Sequence, residues 1–437
     1  MPQELALEGS STPKTSGATS AQSQERASER TTCRACDAPL RRSFLDLGST
    51  PLANAYLGAA DLATPEPSYP LHVMLCGSCL LAQLSTDVSP RVLFSDYAYF
   101  SSYSDSWVRH AADFAGTAVR RFGLDGSSLV VEIASNDGYL LKHFKALRIP
   151  VLGIEPAANI AQAAIALGIP TEIRFFGRDT AQELAAAGKK ADLIVGNNVF
   201  AHVPELNDFV AGLQMLLKPE GVISLEFPHL LRLMLGVQFD TIYHEHFSYF
   251  SFHAVERILA AKGLRVFDVK ELPTHGGSLR VHACHAGASR RTEDSVAALR
   301  RSEQAAGLTR METYDHFAAR VDHCRRSLIA FVQEAKRAGK SIVGYGAAAK
   351  GNTLLSYCGL GSAEIDYVVD RSPHKQGRFL PGSHIPIRDP RHIAETQPDY
   401  LLILPWNLKK EIMAQTSGLR EWGGKFVIPV PEVLVLD

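Results

Sequence analysis

Ser128-Leu-Val-Val-Glu-Ile-Ala134 runs directly into Ser135-Asn-Asp-Gly138, and Tyr139 to Leu147 then carries apolar residues at helical spacing. A short β-rich apolar run, a turn of small residues and a helix form the opening unit of an α/β sheet buried on both faces. The pattern continues downstream with a strand at Val151-Leu-Gly-Ile-Glu155, a helix through Ala166 and a brief strand from Thr171 to Ile173. Ala191-Asp-Leu-Ile-Val195 follows, then a helix, then Gly221-Val-Ile-Ser-Leu-Glu226. Upstream, Trp107 to Phe122 reads as a helix. This alternation predicts a mostly parallel sheet covered on both sides, filling residues 96–285.

Residues 286–338 lack strand signals and carry charges at helical spacing, as expected of one or two linking helices. A second α/β unit, 339–437, opens at Ser341-Ile-Val-Gly-Tyr-Gly346. It continues through Ile365-Asp-Tyr-Val-Val-Asp370 and Asp399-Tyr-Leu-Leu-Ile-Leu404, and closes on Gly424 to Val430. On the N-terminal side, residues 31–95 hold Pro51, Pro65, Pro67 and Pro70, which favour loops and short strands, one of them Tyr69 to Leu75. Residues 1–30 are rich in Ser, Thr, Ala, Glu and Gln; too little apolar surface is present to offset the entropy of ordering, so a disordered tail is expected.

The chain has 437 residues, 46 % apolar and 21 % charged, with a formal net charge of −1. That is the balance of a soluble globular protein of two or three domains. A near-neutral surface does not displace the counterions of a polyanion, so no nucleic-acid partner is expected. No apolar run approaches the roughly 20 residues of a spanning helix, so no membrane partner is expected. The N-terminus lacks the apolar stretch of a signal peptide, and a cytoplasmic location follows. The oligomeric state is left open.

Four of seven cysteines fall in two pairs, Cys33/Cys36 and Cys76/Cys79, separated by 39 residues. Each C-x2-C pair clamps a metal from one turn, and four thiolates complete a closed tetrahedron with no open position for water. The expectation is a structural zinc ion, with four unrelated buried cysteines as the alternative.

The turn at Glu132-Ile-Ala134-Ser135-Asn136-Asp137-Gly138 keeps one glycine where a dinucleotide-binding loop has three. That points to a nucleoside ligand without a pyrophosphate. Glu155, about 20 residues on, stands where a carboxylate holds both ribose hydroxyls. The two acids and the small-residue turn predict S-adenosylmethionine, with Asn197 and Asn198 at the carboxyl edge of the fourth strand completing its site. A common βα turn is the alternative reading.

Two clusters qualify for an acceptor site: Asn197-Asn-Val-Phe-Ala-His202, and Tyr243-His244-Glu245-His246. The second has no HExxH spacing, which removes a zinc-protease reading. A histidine beside a glutamate past strand ends suits general-base work near neutral pH, the alternative being ordinary hydrogen-bonded histidines. In the C-terminal unit, Gly344-Tyr345-Gly346-Ala-Ala-Ala-Lys350-Gly-Asn352-Thr353 has the form of a phosphate-cradling loop with a lysine, or of a turn that serves packing only.

In these motifs, and in Glu245-His246-Phe247 and His275-Gly-Gly277, the chain resembles the nucleotide-diphosphate-sugar C-methyltransferases of deoxysugar and antibiotic biosynthesis, over residues 31–437. The resemblance implies an α/β chain with a small N-terminal zinc-binding domain, a central Rossmann-like class I methyltransferase domain, and a C-terminal Rossmann-like domain. A nucleotide-sugar substrate would lie between the last two. It further implies that a 4-keto sugar loses the proton beside its carbonyl and takes a methyl group on carbon. His246 would be the base and Glu245 would hold sugar hydroxyls. His202 and Tyr97, from Phe94-Ser-Asp-Tyr97-Ala-Tyr99, would steady the enolate or orient the sugar. His244 stands as a substrate residue and a rival base, with Gly344, Tyr345, Gly346, Lys350 and Asn352 as further substrate residues. The competing functions are O- or N-methylation of another metabolite and a non-enzymatic zinc-ribbon binding protein.

Overall fold

A computed structural model describes residues 27–94 and 100–437. Residues 1–26 of the expected tail, and Tyr97, lie outside the described residues. The tail as read from sequence runs too far: Ala27–Glu29 is a strand, β1, antiparallel to β5 (Thr86–Val88), and Arg30 pairs with Asp87 and Glu205. Charged partners downstream, invisible to composition, hold it.

The N-terminal domain is more regular than its prolines imply. β2 (Arg42–Thr50) and β3 (Tyr69–Leu75) form a long antiparallel pair that β4 (Ala82–Leu84) extends. Leu71, Val73 and Leu75 alternate inward and are fully buried, the period of a strand with one face in the core.

The central sheet contains β6 (Val130–Ile133), β7 (Val151–Ile154), β8 (Thr171–Glu172), β9 (Ala191–Asn197) and β10 (Leu217–Pro228). Its order, β8-β7-β6-β9-β10, is parallel and puts the β6 and β9 carboxyl ends side by side. Alternate side chains serve opposite faces: Val130, Leu193 and Val195 pack with Phe114 and Phe144, whereas Val131, Ile133 and Ile194 pack with Phe209 and Leu213. Helix Asp105–Phe122 shows why the covering helices form. Ser104 Oγ caps the Trp107 amide at 3.3 Å, Asp105 meets the positive end, and Arg120 and Arg121 meet the negative end. Gly123, at φ 66°, then stops the helix.

Downstream, β11 (Ser248–Tyr249) leaves the central domain to pair with β4, so the zinc-domain sheet reads β11-β4-β3-β2. β12 (Leu264–Leu272) and β13 (Ser278–His285) return as an antiparallel hairpin on β10. The sequence reading left this hairpin unassigned, and its turn is His275-Gly276-Gly277.

Two linking helices follow, Asp294–Ala305 and Phe317–Arg337. The C-terminal sheet comprises β14 (Ile342–Tyr345), β15 (Val368–Val369), β16 (Ile387–Arg388), β17 (Tyr400–Ile403), β18 (Lys425–Ile428) and β19 (Leu434–Leu436). Its order is β16-β15-β14-β17-β18-β19, parallel except for β19. No helix among the described residues is long and apolar enough to cross a membrane.

Candidate active site

The four paired cysteines converge. Their sulfurs lie within 4.8 Å of one another, with Cys33 to Cys79 and Cys36 to Cys76 each at 3.5 Å. Zinc–sulfur bonds of about 2.3 Å in a tetrahedron place the sulfurs about 3.8 Å apart, so the donor set fits zinc with every position filled by protein. Cys33, Cys76 and Cys79 pack into the same apolar cluster as Phe200 and Ala201, which precede His202. A zinc ion held by these cysteines would therefore brace the segment that leads to His202.

At the carboxyl end of β6 the chain turns through left-handed conformations at Ala134 (φ 54°), Asn136 (φ 51°) and Gly138 (φ 79°). A Cβ on Gly138 would lie 2.3 Å from Ile169 Cδ1, so only glycine fits. Glu155 receives the Asn136 and Ala157 amides at 3.0 and 2.9 Å and fixes the loop. Asn136 Oδ1 and Asp137 Oδ2 accept the amides of Ser101 and Ser102, closing residues 101–102 over it.

Around this turn buried polar atoms stand without well-formed hydrogen bonds: both carboxyl oxygens of Glu132, Ser135 Oγ, Asp137 Oδ1 and Asn197 Oδ1. Native interiors rarely leave such atoms unmet, and a polar ligand fits them. Burial holds the Glu132 carboxyl well above the usual carboxylate range, with Tyr139 beside it. The Tyr139 hydroxyl accepts from Asn197 Nδ2 at 3.3 Å, which joins the ends of β6 and β9.

The acceptor side is built on the loop before β11. His246 Nδ1 lies 2.8 Å from the Thr241 carbonyl oxygen. A carbonyl only accepts, so Nδ1 carries the proton and Nε2 keeps a lone pair. Burial lowers the His246 pKa to about 4, so the ring is neutral at physiological pH. His202 crosses it edge-on at 4.7 Å, and burial lowers its pKa well below the ordinary imidazole value. Tyr243, given no role from sequence, lies against the same ring at 4.1 Å. Glu245 accepts from Asn54 Nδ2 of the zinc domain at 2.5 Å.

His244, the rival base, turns the other way. Its Nε2 donates to the Tyr69 carbonyl at 3.1 Å and its ring meets the Tyr69 ring edge-on. The chain turns at His244-Glu245, where the His246 amide closes on the Tyr243 carbonyl at 2.9 Å, so the two histidines diverge: His244 meets the zinc domain and His246 meets His202.

The C-terminal loop divides in the same manner. Lys350 lies half-buried between domains, its Nζ 2.7 Å from Asn407 Oδ1 and 4.7 Å from the Trp406 ring centre. Trp406 Nε1 donates to Asp240 at 2.6 Å, and burial lifts that carboxyl to about 6. Asn352 donates to the Ala53 carbonyl at 2.5 Å, and Tyr56 donates to that of Ala347 at 2.6 Å. Gly344 and Tyr345 serve packing: a Cβ on Gly344 would meet Val368 at 2.7 Å, and the Tyr345 hydroxyl donates to Gln415. Gly346, at φ 91°, presses on Pro405. A cavity of about 610 Å³ opens between the central and C-terminal domains, walled by Gln238, Gly276, Trp406, Asn407 and Lys409. Trp406 and Asp240 had no sequence signal, because nothing in their neighbours marks them as facing a cavity.

Three family models cover most of the chain: a zinc binding domain over residues 33–94, a methyltransferase domain over 107–269, and a C-methyltransferase C-terminal domain over 273–431. Among characterised proteins, C-methyltransferase NovU of Streptomyces niveus is 38% identical over 405 residues, 93% of this chain and 96% of that protein. Among solved structures, an S-adenosylmethionine-dependent methyltransferase from Clostridium acetobutylicum ATCC 824 is 12% identical, covering 41% of this chain and 92% of its own, at a TM-score of 0.34. Magnesium protoporphyrin IX methyltransferase from Synechocystis PCC 6803, with bound SAH, is 18% identical, covering 41% and 83%, at a TM-score of 0.32. The non-enzymatic reading is thereby set aside.

Proposed function

This chain belongs to the C-methyltransferase family, a zinc-containing, S-adenosylmethionine-dependent enzyme, and we propose that its acceptor is the carbon beside the ketone of a 4-keto nucleotide-diphosphate deoxysugar. The observation that carries this reading is the bare Nε2 of His246. The neutral ring lies edge-on to that of His202 at 4.7 Å and next to Glu245 in the chain. Methylation of oxygen or nitrogen has less need of such a base, whereas a carbon acid becomes nucleophilic only once its proton is removed.

Glu132, Ser135, Asn136, Asp137, Gly138, Glu155 and Asn197 would hold the methyl donor, Glu155 at the ribose hydroxyls and the unmatched Glu132 carboxyl near a polar or cationic group. When bound, the donor supplies an electrophilic methyl on a sulfonium sulfur that departs as a neutral thioether. His246 Nε2 takes the proton from the ring carbon, and the electron pair passes to the ketone oxygen. His202 steadies that oxygen; Tyr97 is the other residue proposed there. The enolate carbon then takes the methyl group. Glu245 orients the sugar through its hydroxyls. Lys350, in the wall between the central and C-terminal domains, supplies positive charge for the diphosphate.

The test is incubation with a 4-keto sugar nucleotide in deuterated buffer without the methyl donor. The wild-type chain should exchange the proton at the carbon beside the ketone, and His246→Ala should not while still binding the donor in a calorimeter. Normal exchange in His246→Ala removes the base assignment.

A further inference from the structure

The turn of the β12–β13 hairpin carries a third imidazole, His275, next to Gly276 and Gly277, which line the cavity between the central and C-terminal domains. His275 sits at φ 54°, a left-handed conformation that strains a non-glycine residue, and several bonds hold it there. Thr274 Oγ1 donates to Glu226 at 2.8 Å, the Gly277 amide to Thr274 O at 2.9 Å, and Gln238 Nε2 to Gly276 O at 2.8 Å. A Cβ on Gly276 would strike Trp406 at 2.7 Å and one on Gly277 would strike Arg232 at 2.7 Å, so the turn is wedged between the central and C-terminal domains. Trp107 meets the His275 ring edge-on at 5.4 Å.

One contact assigns the ring's proton. Asn198 Nδ2 lies 3.1 Å from His275 Nε2. An amide nitrogen only donates, so Nε2 accepts and the proton resides on Nδ1. Asn198 itself sits at φ 53° just past the end of β9, in the segment that leads to His202. The His275 side chain stands exposed at the turn, so the Asn198 contact sets its state, and its charge would bear on both His202 and His246. The ring is therefore a neutral donor within electrostatic reach of the base.

Resting on the ketosugar reading, we propose that His275 is a further catalytic residue: its Nδ1–H donates a hydrogen bond to the ketone oxygen as that oxygen becomes an enolate, and Asn198 is the positioning residue that fixes this tautomer. No proton passes from His275. The proton removed from carbon goes to His246 Nε2, the C–H pair becomes the enolate π bond, and that pair later forms the new carbon–carbon bond as the sulfonium sulfur takes back its own. A neutral donor suits the step because an imidazolium would protonate the enolate oxygen and leave the less nucleophilic enol.

The left-handed backbone supplies a clean test, because asparagine and aspartate both tolerate it and are nearly isosteric. His275→Asn keeps an N–H donor, whereas an ionised aspartate offers acceptors only. With wild type, H275N, H275D and N198A, one measures exchange at the carbon beside the ketone, kcat and KM for methylation, and donor affinity by calorimetry. The proposal predicts H275N within about tenfold of wild type and H275D down about 10²–10³-fold in exchange and kcat, the range for losing one oxyanion donor. KM and donor affinity should stay within a few-fold, and N198A should fall between. Equal rates for H275N and H275D, or a defect confined to donor affinity, overturn the role of His275 while leaving the function standing. A wild-type chain that neither exchanges nor methylates the ketosugar removes both.

Discussion

The hydrogen bond from His246 Nδ1 to the Thr241 carbonyl decides what the ring does, because it leaves Nε2 bare. With burial holding the pKa near 4 rather than near 6.5, exchange catalysed by the wild type should be flat from pH 6 to 8 and decline only in more acidic buffer. An ascending limb centred near 6.5 would show a solvated ring. The same shift makes folding pH-dependent. Between about 4 and 6.5 the unfolded histidine binds a proton that the folded one refuses, so stability present above 6.5 is lost as pH falls through that window.

Glu132 runs in the opposite direction. Its carboxyl is held neutral by burial, so the unfolded state ionises first and this residue opposes folding increasingly above the ordinary carboxylate pKa. Glu132→Gln should therefore melt at or above the wild-type temperature at pH 7 without ligand, yet bind the methyl donor about tenfold or more weakly; thermal melts with and without donor check both halves. The turn at residues 132–138 and Glu155 was legible at this scale, because both declare themselves by position after strands. His244 against His246 was not, since only the loop's direction separates them.

At the level of elements, the zinc domain and the catalytic loop share a sheet. β11 begins two residues after His246 and pairs with β4, and β4 follows Cys79 closely. Arg34, next to Cys33, also donates to Leu84 O at 2.9 Å and to Pro204 O at 3.2 Å. Losing the metal should therefore disturb the acceptor site first. Treatment with a strong chelator is expected to release one zinc ion per chain and abolish proton exchange, with donor affinity held within a few-fold; unchanged exchange in metal-free protein would contradict this linkage. The strands β6, β7 and β9 were readable because both faces are buried and the runs are continuously apolar. The β12–β13 hairpin was not, because Arg265, Asp268, Lys270, Arg280 and His282 interrupt its pattern with charges. Those charges are satisfied only in the fold, as where Asp268 pairs with Arg121 and His282.

Across the whole molecule, the site is a meeting of three domains. Asn54 reaches Glu245, Asn352 reaches Ala53, Thr353 reaches the Ile242 carbonyl at 3.1 Å, and Trp406 reaches Asp240. Sequence patterns give each domain's own sheet, but contacts between residues 111 to 299 apart leave no local period, so the convergence of Lys350, Trp406 and Asp240 emerged only in three dimensions. Trp406→Ala should raise KM for the nucleotide sugar about tenfold or more while leaving donor affinity unchanged, as steady-state kinetics and calorimetry would report.

The most direct test supplies purified protein with an isotope-labelled methyl donor and a 4-keto nucleotide sugar, and locates the label in the product by NMR. The labelled methyl should be bonded to the ring carbon next to the ketone, with one proton lost from that carbon. A label on oxygen or nitrogen, or none on the sugar, would contradict the claim that His246 prepares a carbon nucleophile.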